Sequence, residues 1–455
     1  MIALRSGASA LALAALLSAA SSRAAVPVPG APQEHPIALT GVVIHTISGA
    51  DITGGTLVFD RGKITAMGRD ATVPPDAERI DLTGKHLYPG LIDAYSILGL
   101  SEVEAVRATN DFSEVGGITP NVKAQVAVNP ESESIPVTRS NGVLLALVAP
   151  RGSMLRGTSA LMALDGWTWE DMTIRAPIGL HLNWPPMVLQ TAGVTPDSLD
   201  KLRDRRAKSL QRIQDAFDEA RAYWTARKAG NGAGQRTHAT DARWEAMIPV
   251  LERKVPLIVE ADEVQQIEAA VAFAQRESLR VILYGGYDAD RCATLLKTYD
   301  VPVIVRSTLR LPVRAEDGYD HPFTLPERLR EAGVRFCIAN GGGFWNERNL
   351  AYEAAQASAY GLPHDEALKS VTLSPAMILG VADRVGSLEV GKDATLIVTD
   401  GDPLEIPTHV ERAFVEGRPV DLQDKQKVLW QKYQEKYRRL ATKTAKASVA
   451  KRAAP

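Results

Sequence analysis

Residues 85–100 read Lys85-His86-Leu87-Tyr88-Pro89-Gly90-Leu91-Ile92-Asp93-Ala94-Tyr95-Ser96-Ile97-Leu98-Gly99-Leu100. Gly84 and Pro89-Gly90 punctuate the stretch as turn residues, Leu91-Ile92 is an apolar pair, and the run leaves through a loop. This is a turn feeding a short buried strand, and the chain on either side is organised around it.

Upstream, Val42-Val43-Ile44, Gly55-Thr56-Leu57-Val58-Phe59 and Lys63-Ile64-Thr65-Ala66-Met67 are β-rich runs separated by turn residues. Asp60-Arg61-Gly62-Lys63 reads as a hairpin in which Gly62 supplies a positive φ. Downstream, Gly142-Val143-Leu144-Leu145-Ala146-Leu147-Val148 is continuously apolar, as a strand buried on both faces must be. Val255-Pro256-Leu257-Ile258-Val259, Arg280-Val281-Ile282-Leu283-Tyr284, Val301-Pro302-Val303-Ile304-Val305 and Val334-Arg335-Phe336-Cys337-Ile338-Ala339 follow, with amphipathic helices expected over 262–275 and 288–299. Alternating strands and helices predict repeated βα units.

Two further stretches carry a resemblance. Glu366-Ala367-Leu368-Lys369-Ser370-Val371-Thr372-Leu373-Ser374-Pro375-Ala376 and Gly386-Ser387-Leu388-Glu389-Val390-Gly391-Lys392-Asp393-Ala394-Thr395-Leu396, together with 89–97, resemble motifs of the amidohydrolase superfamily, in particular its secreted imidazolonepropionase-like and prolidase-like members. The resemblance spans about 37–422 and implies an α/β fold: a (β/α)8 TIM-type barrel over 89–384, plus a small composite β-sandwich built by both chain ends, 37–88 and 385–422. Insertions are expected at 100–138, polar and loop-like, and at 198–240, where a long charged helix runs into Gly230-Asn231-Gly232-Ala233-Gly234.

The ends read differently. Arg5, an Ala/Leu-rich run over 8–17 and Ser22-Arg23-Ala24 predict a signal peptide over 1–24, a flexible linker over 25–36 and a periplasmic address. Residues 423–455 predict a basic helix; a solvated helix is preferred there over contact with an anionic membrane surface. A formal net charge of -2 gives no reason to expect nucleic acid. Cys292 and Cys337 have no metal-ligand spacing, and whether they pair is not decided by spacing alone.

The resemblance implies a divalent metal held by His-x-His after the first barrel strand, single histidines after the fifth and sixth, and an aspartate after the eighth. Here Tyr95 and Ile97 stand at the first pair, Glu260 after the fifth strand, Gly285-Gly286 after the sixth and Asn340 after the eighth. Of the eight histidines, His35, His45, His86, His238, His321, His364 and His409 fall away from strand ends, leaving His181 as the one candidate ligand. The polar residues placed around the mouth are Tyr95, Arg151, Arg156, Glu260, Arg306, Asn340 and Arg348, an arginine-rich set suited to a small anion.

Three functional readings follow. The first is a metal-free pseudoenzyme that binds a ligand, or assembles with itself or an active homologue. The second is an active hydrolase with one zinc held around Glu260, with His181 and Asn340. The third is a surface-associated protein using the basic tail. No cofactor is expected under the first.

Overall fold

The computed structural model describes residues 28–152, 154–189, 195–229, 239–341 and 343–452. The expected leader and His238 lie outside these residues.

The polypeptide is mixed α/β. Strands Ile37–Ile44, Ile52–Asp60, Lys63–Gly68, Glu78–Asp81 and His86–Pro89 join Leu396–Thr399, Val410–Val415 and Arg418–Pro419 in one eight-stranded sheet. The two chain ends meet where Leu396–Thr399 runs antiparallel to His86–Pro89, with Leu396 opposite Pro89. A two-sheet sandwich was expected; the strands instead form a single hydrogen-bonded sheet that folds over its own core. Phe59 and Phe414, far apart in strand order, pack edge to face at 5.1 Å, and Lys63 bridges to Asp393. The hairpin at Arg61-Gly62 has φ of 48° and 77°, the type I′ pattern whose twist matches the flanking strands.

Residues 28–36 are not a free linker. The Gly30 N–H donates to the buried Asp165 carboxylate, and Gln33 donates to the Phe59 carbonyl. Asp165 is held in turn by Arg139 at 2.8 Å.

The remaining ten strands form two sheets, of four and six strands, and supply eight staves, with Leu155–Thr158 and Ala160–Ala163 sharing one and Thr173–Arg175 lying at a sheet edge. Leu91–Ser96 and Val143–Val148 are buried at every position and run parallel. Leu180–Asn183, Leu257–Ala261, Val281–Gly285, Val303–Arg306 and Phe336–Ala339 form a second parallel run in that order. The stave between the two runs departs from the βα expectation. Leu155–Thr158 pairs antiparallel with Leu180–Asn183, and Ala160–Ala163 pairs antiparallel with Val143–Val148. The reason is chain length: six residues separate Val148 from Leu155, and a parallel return needs a dozen or more.

Helices Val264–Arg276, Ala293–Thr298, His321–Ala332 and Leu350–Ala359 connect or follow the later staves. The inserted helix Pro196–Ala229 buries Ile213, Ala216, Phe217 and Ala220, one helical face, and Phe217 meets Phe273 of Val264–Arg276 at 5.1 Å. Cys292 and Cys337 are separate buried thiols. The C-terminal helix Lys425–Arg452 lies outside the compact unit Pro29–Asp424 and exposes Trp430, Tyr433 and Tyr437. No described helix is long and apolar enough to cross a membrane.

Arg384 ties the sheet to the staves. It donates to Asp393 at 2.8 Å, to Glu416 at 2.7 Å and to the Ile174 carbonyl at 2.8 Å. Arg384→Ala is expected to lower the urea-unfolding free energy by about 1–3 kcal/mol, the cost of leaving buried acceptors short of a donor. Arg412→Ala, at an exposed strand position, is expected to stay within about 0.5 kcal/mol.

Candidate functional site

The register of the parallel staves sets Glu260 beside Tyr284 on one side and Asn183 on the other. All are near the C-terminal ends of their strands, where loops can reach a ligand. Glu260 is claimed by two guanidiniums. Arg156 Nη2 donates to Oε2 at 2.6 Å, and Arg306 Nη2 donates to Oε1 at 2.5 Å. Burial works to raise the Glu260 carboxyl, but the two arginines outweigh it and hold it below the usual carboxylate range. Asp262 lies 3.6 Å from the same Arg306 nitrogen.

Against this ion pair lies an aromatic stack. The Tyr95 and Tyr284 rings are nearly parallel with centroids 3.6 Å apart, and both are almost fully buried. Arg156 Nη1 donates to the Tyr95 hydroxyl at 3.3 Å, and the Arg306 guanidinium sits 4.8 Å from the Tyr284 ring centre. Burial keeps both phenols protonated, with pKa values above the usual range.

His181 meets the Tyr95 ring edge-on at 5.7 Å, and its Nε2 has no partner. Burial, with Arg156 adding to it, lowers its pKa to about 3, so the imidazole is neutral. Ile97 is buried. Asn340 donates its backbone N–H to Asp93 at 3.3 Å and its amide to the Gly343 carbonyl, so its side chain is committed to its own loop. Arg151 is half-buried and close enough for its charge to act on Tyr95 and Tyr284. Arg348 corrects the expectation: its side chain is exposed and it is the backbone carbonyl that accepts from Asn141, because the 3-10 helix Phe344–Asn349 turns Glu347 inward instead.

Residues not singled out in the sequence complete the site. Asp93, inside the quoted stretch, is fully buried and accepts from the Tyr95 N–H, with Oδ2 unpartnered. Glu347, also fully buried, accepts from Ser96 Oγ at 2.5 Å. Burial raises both carboxyls, and their charges oppose each other. A carboxylate between apolar residues in Leu91-Ile92-Asp93-Ala94 was the available signal for Asp93. Nothing in the sequence marked Glu347, or Arg310 in the loop after Val303–Arg306.

The donor set does not fit a divalent ion. Among the described residues no three His, Cys, Asp or Glu side chains converge as metal ligands. Glu260 has both oxygens occupied by cations, and a metal beside it would face two guanidiniums.

Residues 323–421 match the family described as the amidohydrolase family. The amidohydrolase tasK of Hapsidospora irregularis is 24% identical over 398 residues, which cover 80% of this chain and 39% of that protein. The chain thus spans well under half the length of that relative. Imidazolonepropionase of Brucella anthropi is 24% identical over 384 residues, 77% of this chain and 87% of that enzyme. The crystal structure of an amidohydrolase from Thermotoga maritima superimposes with a TM-score of 0.76 at 25% identity, covering 85% of this chain and 99% of the other.

The neutral His181 gives a pH test. A histidine whose folded pKa is lowered contributes stability that is fully present above its ordinary 6.5 and is lost as pH falls toward its folded value, here about 3. The unfolding free energy of the wild type relative to His181→Gln is therefore expected to rise from pH 3 to 6.5 by on the order of a few kcal/mol and then level off. A flat difference would mean the imidazole is solvated.

With a sheet built from both chain ends, parallel strands whose C-terminal ends carry the polar site, and relatives that match along most of its length, the chain belongs to the amidohydrolase superfamily.

Proposed function

We propose that this chain is a secreted, periplasmic amidohydrolase-family protein whose eight staves close as a TIM-type barrel and whose mouth binds a ligand rather than hydrolysing one. The observation that carries the reading is the sharing of Glu260 between Arg156 and Arg306 at 2.5–2.6 Å. A carboxylate neutralised by two fixed guanidiniums is a poor metal ligand and a poor general base. Freeing it would leave a partly buried pair broken, which costs roughly 3–5 kcal/mol. The Tyr95–Tyr284 stack fills the space beside it with apolar surface. The guanidiniums gathered at the mouth suit a small anionic ligand. Self-assembly, or assembly with an active homologue, would give such a protein its role in the periplasm.

A second reading is favoured by one observation: the neutral His181 has an unpartnered Nε2 in the same site, which suits a single zinc ligand. The two are separated by measuring the metal content of protein purified without chelator, alongside hydrolysis of dipeptides and cyclic amides. Metal well below stoichiometric and no hydrolysis above background are expected. One zinc or manganese per chain, with C–N hydrolysis abolished by chelation, would establish the second reading instead.

A further inference from the structure

Three guanidiniums line up on the loop after Val303–Arg306 and its neighbours, and their partners differ. Arg306 has Glu260 and Asp262. Arg314 has Asp288 and Asp317. Arg310 has no carboxylate within ion-pair distance among the described residues, and its Nε is buried without a partner, as is the Nε of Arg306. Burial pushes the Arg310 pKa down from its ordinary value, the Asp262 charge opposing it and the Arg306 charge adding to it, though an arginine stays charged at neutral pH. A partly buried cation with no carboxylate in ion-pair contact is costly unless something pairs with it.

Arg310 is also held in place. Its guanidinium lies 4.8 Å from the centre of the Tyr287 ring. That ring is buried and its hydroxyl is fixed, donating to Asp317 at 2.7 Å and accepting from the Val313 N–H at 3.1 Å. The loop backbone is clamped from the other side by Glu353, which accepts from Ser307 Oγ, the Thr308 N–H, Thr308 Oγ1 and the Leu309 N–H. The clamp holds Ser307 at a φ of 27°, a conformation that non-glycine residues seldom adopt without such support. Holding the guanidinium in advance reduces the ordering cost of binding.

Arg306 and Arg310 face a cavity of about 270 Å³, whose other walls include Ser307, Asn340, Asn346, Asn349 and Glu353. This volume lies just under the usual range for drug-sized ligands and admits a small one; the lining is mostly hydroxyl, amide and backbone, with Leu309 apolar and the Glu353 carboxylate taken up by the loop. In the cavity wall two guanidiniums, Arg306 and Arg310, meet one carboxylate, Glu353, and Arg306 is already shared with Glu260 and Asp262, which leaves Arg310 as the guanidinium open to an anion. A guanidinium's planar fork accepts a planar carboxylate through two N–H groups.

We propose that the cavity between Arg306 and Arg310 is a binding site for a small polar monocarboxylate, anchored by Arg310. This names the ligand class of the mouth and rests on the reading that the mouth binds rather than hydrolyses.

The test is calorimetric titration of the purified protein at pH 7 with gluconate, with gluconamide, which keeps the shape and loses the charge, and with inorganic phosphate. Saturable binding of gluconate is expected, at least about tenfold tighter than gluconamide or phosphate, the difference a charge-assisted bidentate contact supplies. Arg310→Gln is expected to weaken gluconate at least about tenfold, and Arg310→Lys less, because it keeps the charge and loses the fork. Arg348→Gln, on the exposed side chain, is expected to bind as the wild type does. The thermal melt of each variant is recorded, and Arg310→Lys carries the comparison if Arg310→Gln does not fold. Equal affinity for gluconamide, tighter binding of phosphate, no saturable binding of gluconate, or undiminished binding by folded Arg310 variants would each overturn the proposal. Metal content and hydrolysis report separately on whether the mouth is catalytic, so the two readings can fail independently.

Discussion

One carboxylate fixes the character of the mouth. Glu260 stands near the end of a central parallel stave, and guanidiniums from two other staves converge on its two oxygens. Arg156 arrives from the antiparallel stave and Arg306 from the parallel run, so the contact bolts together strands that pair with different neighbours. A buried ion pair is weak evidence for stability, since desolvation offsets much of the attraction. Its consequence here is chemical. The carboxylate that a metal or a substrate proton would need is already satisfied, and the same arginines bring positive charge to the place where a cation would sit.

The aromatic stack follows from that arrangement. Tyr95 and Tyr284 lie face to face beside the ion pair, Arg156 donates to one hydroxyl, and Arg306 lies near the other ring. Beyond them, the loop after the last stave is fastened to the first through buried acids: Asp93 accepts from the Asn340 N–H, and Ser96 donates to Glu347. Burial favours the protonated forms of both carboxyls. The first stave therefore serves this mouth as an anchor for its loops, through residues adjoining the positions where the family resemblance places metal ligands.

Much of the scaffold was legible before the structure was in hand. The continuous apolar run at 143–148 and the turn at Arg61-Gly62 are local signals, and local signals survive folding. The antiparallel stave was not legible, because a strand of four residues carries no mark of its direction; the six-residue gap before it was the clue. The separate strands of the end domain gave no hint that they form one sheet, since that is decided by pairing across more than three hundred residues. In the site, Tyr95, Arg156, Glu260 and Arg306 were found from their places at strand ends, and the structure brings them together. Arg348 was misplaced because a short 3-10 helix decides which of its side chains turns inward. Glu347 lies in that same short helix and Arg310 in a loop, too little regular structure for any periodicity to tell which residue turns inward.

The central claim concerns what occupies the Glu260 oxygens, and diffraction can read that directly. Crystals soaked in millimolar zinc and measured at the zinc absorption edge are expected to show the two guanidiniums on Glu260 and no anomalous peak within bonding distance of Glu260 or His181. A zinc peak bonded to both, with Arg156 or Arg306 displaced, would contradict the account.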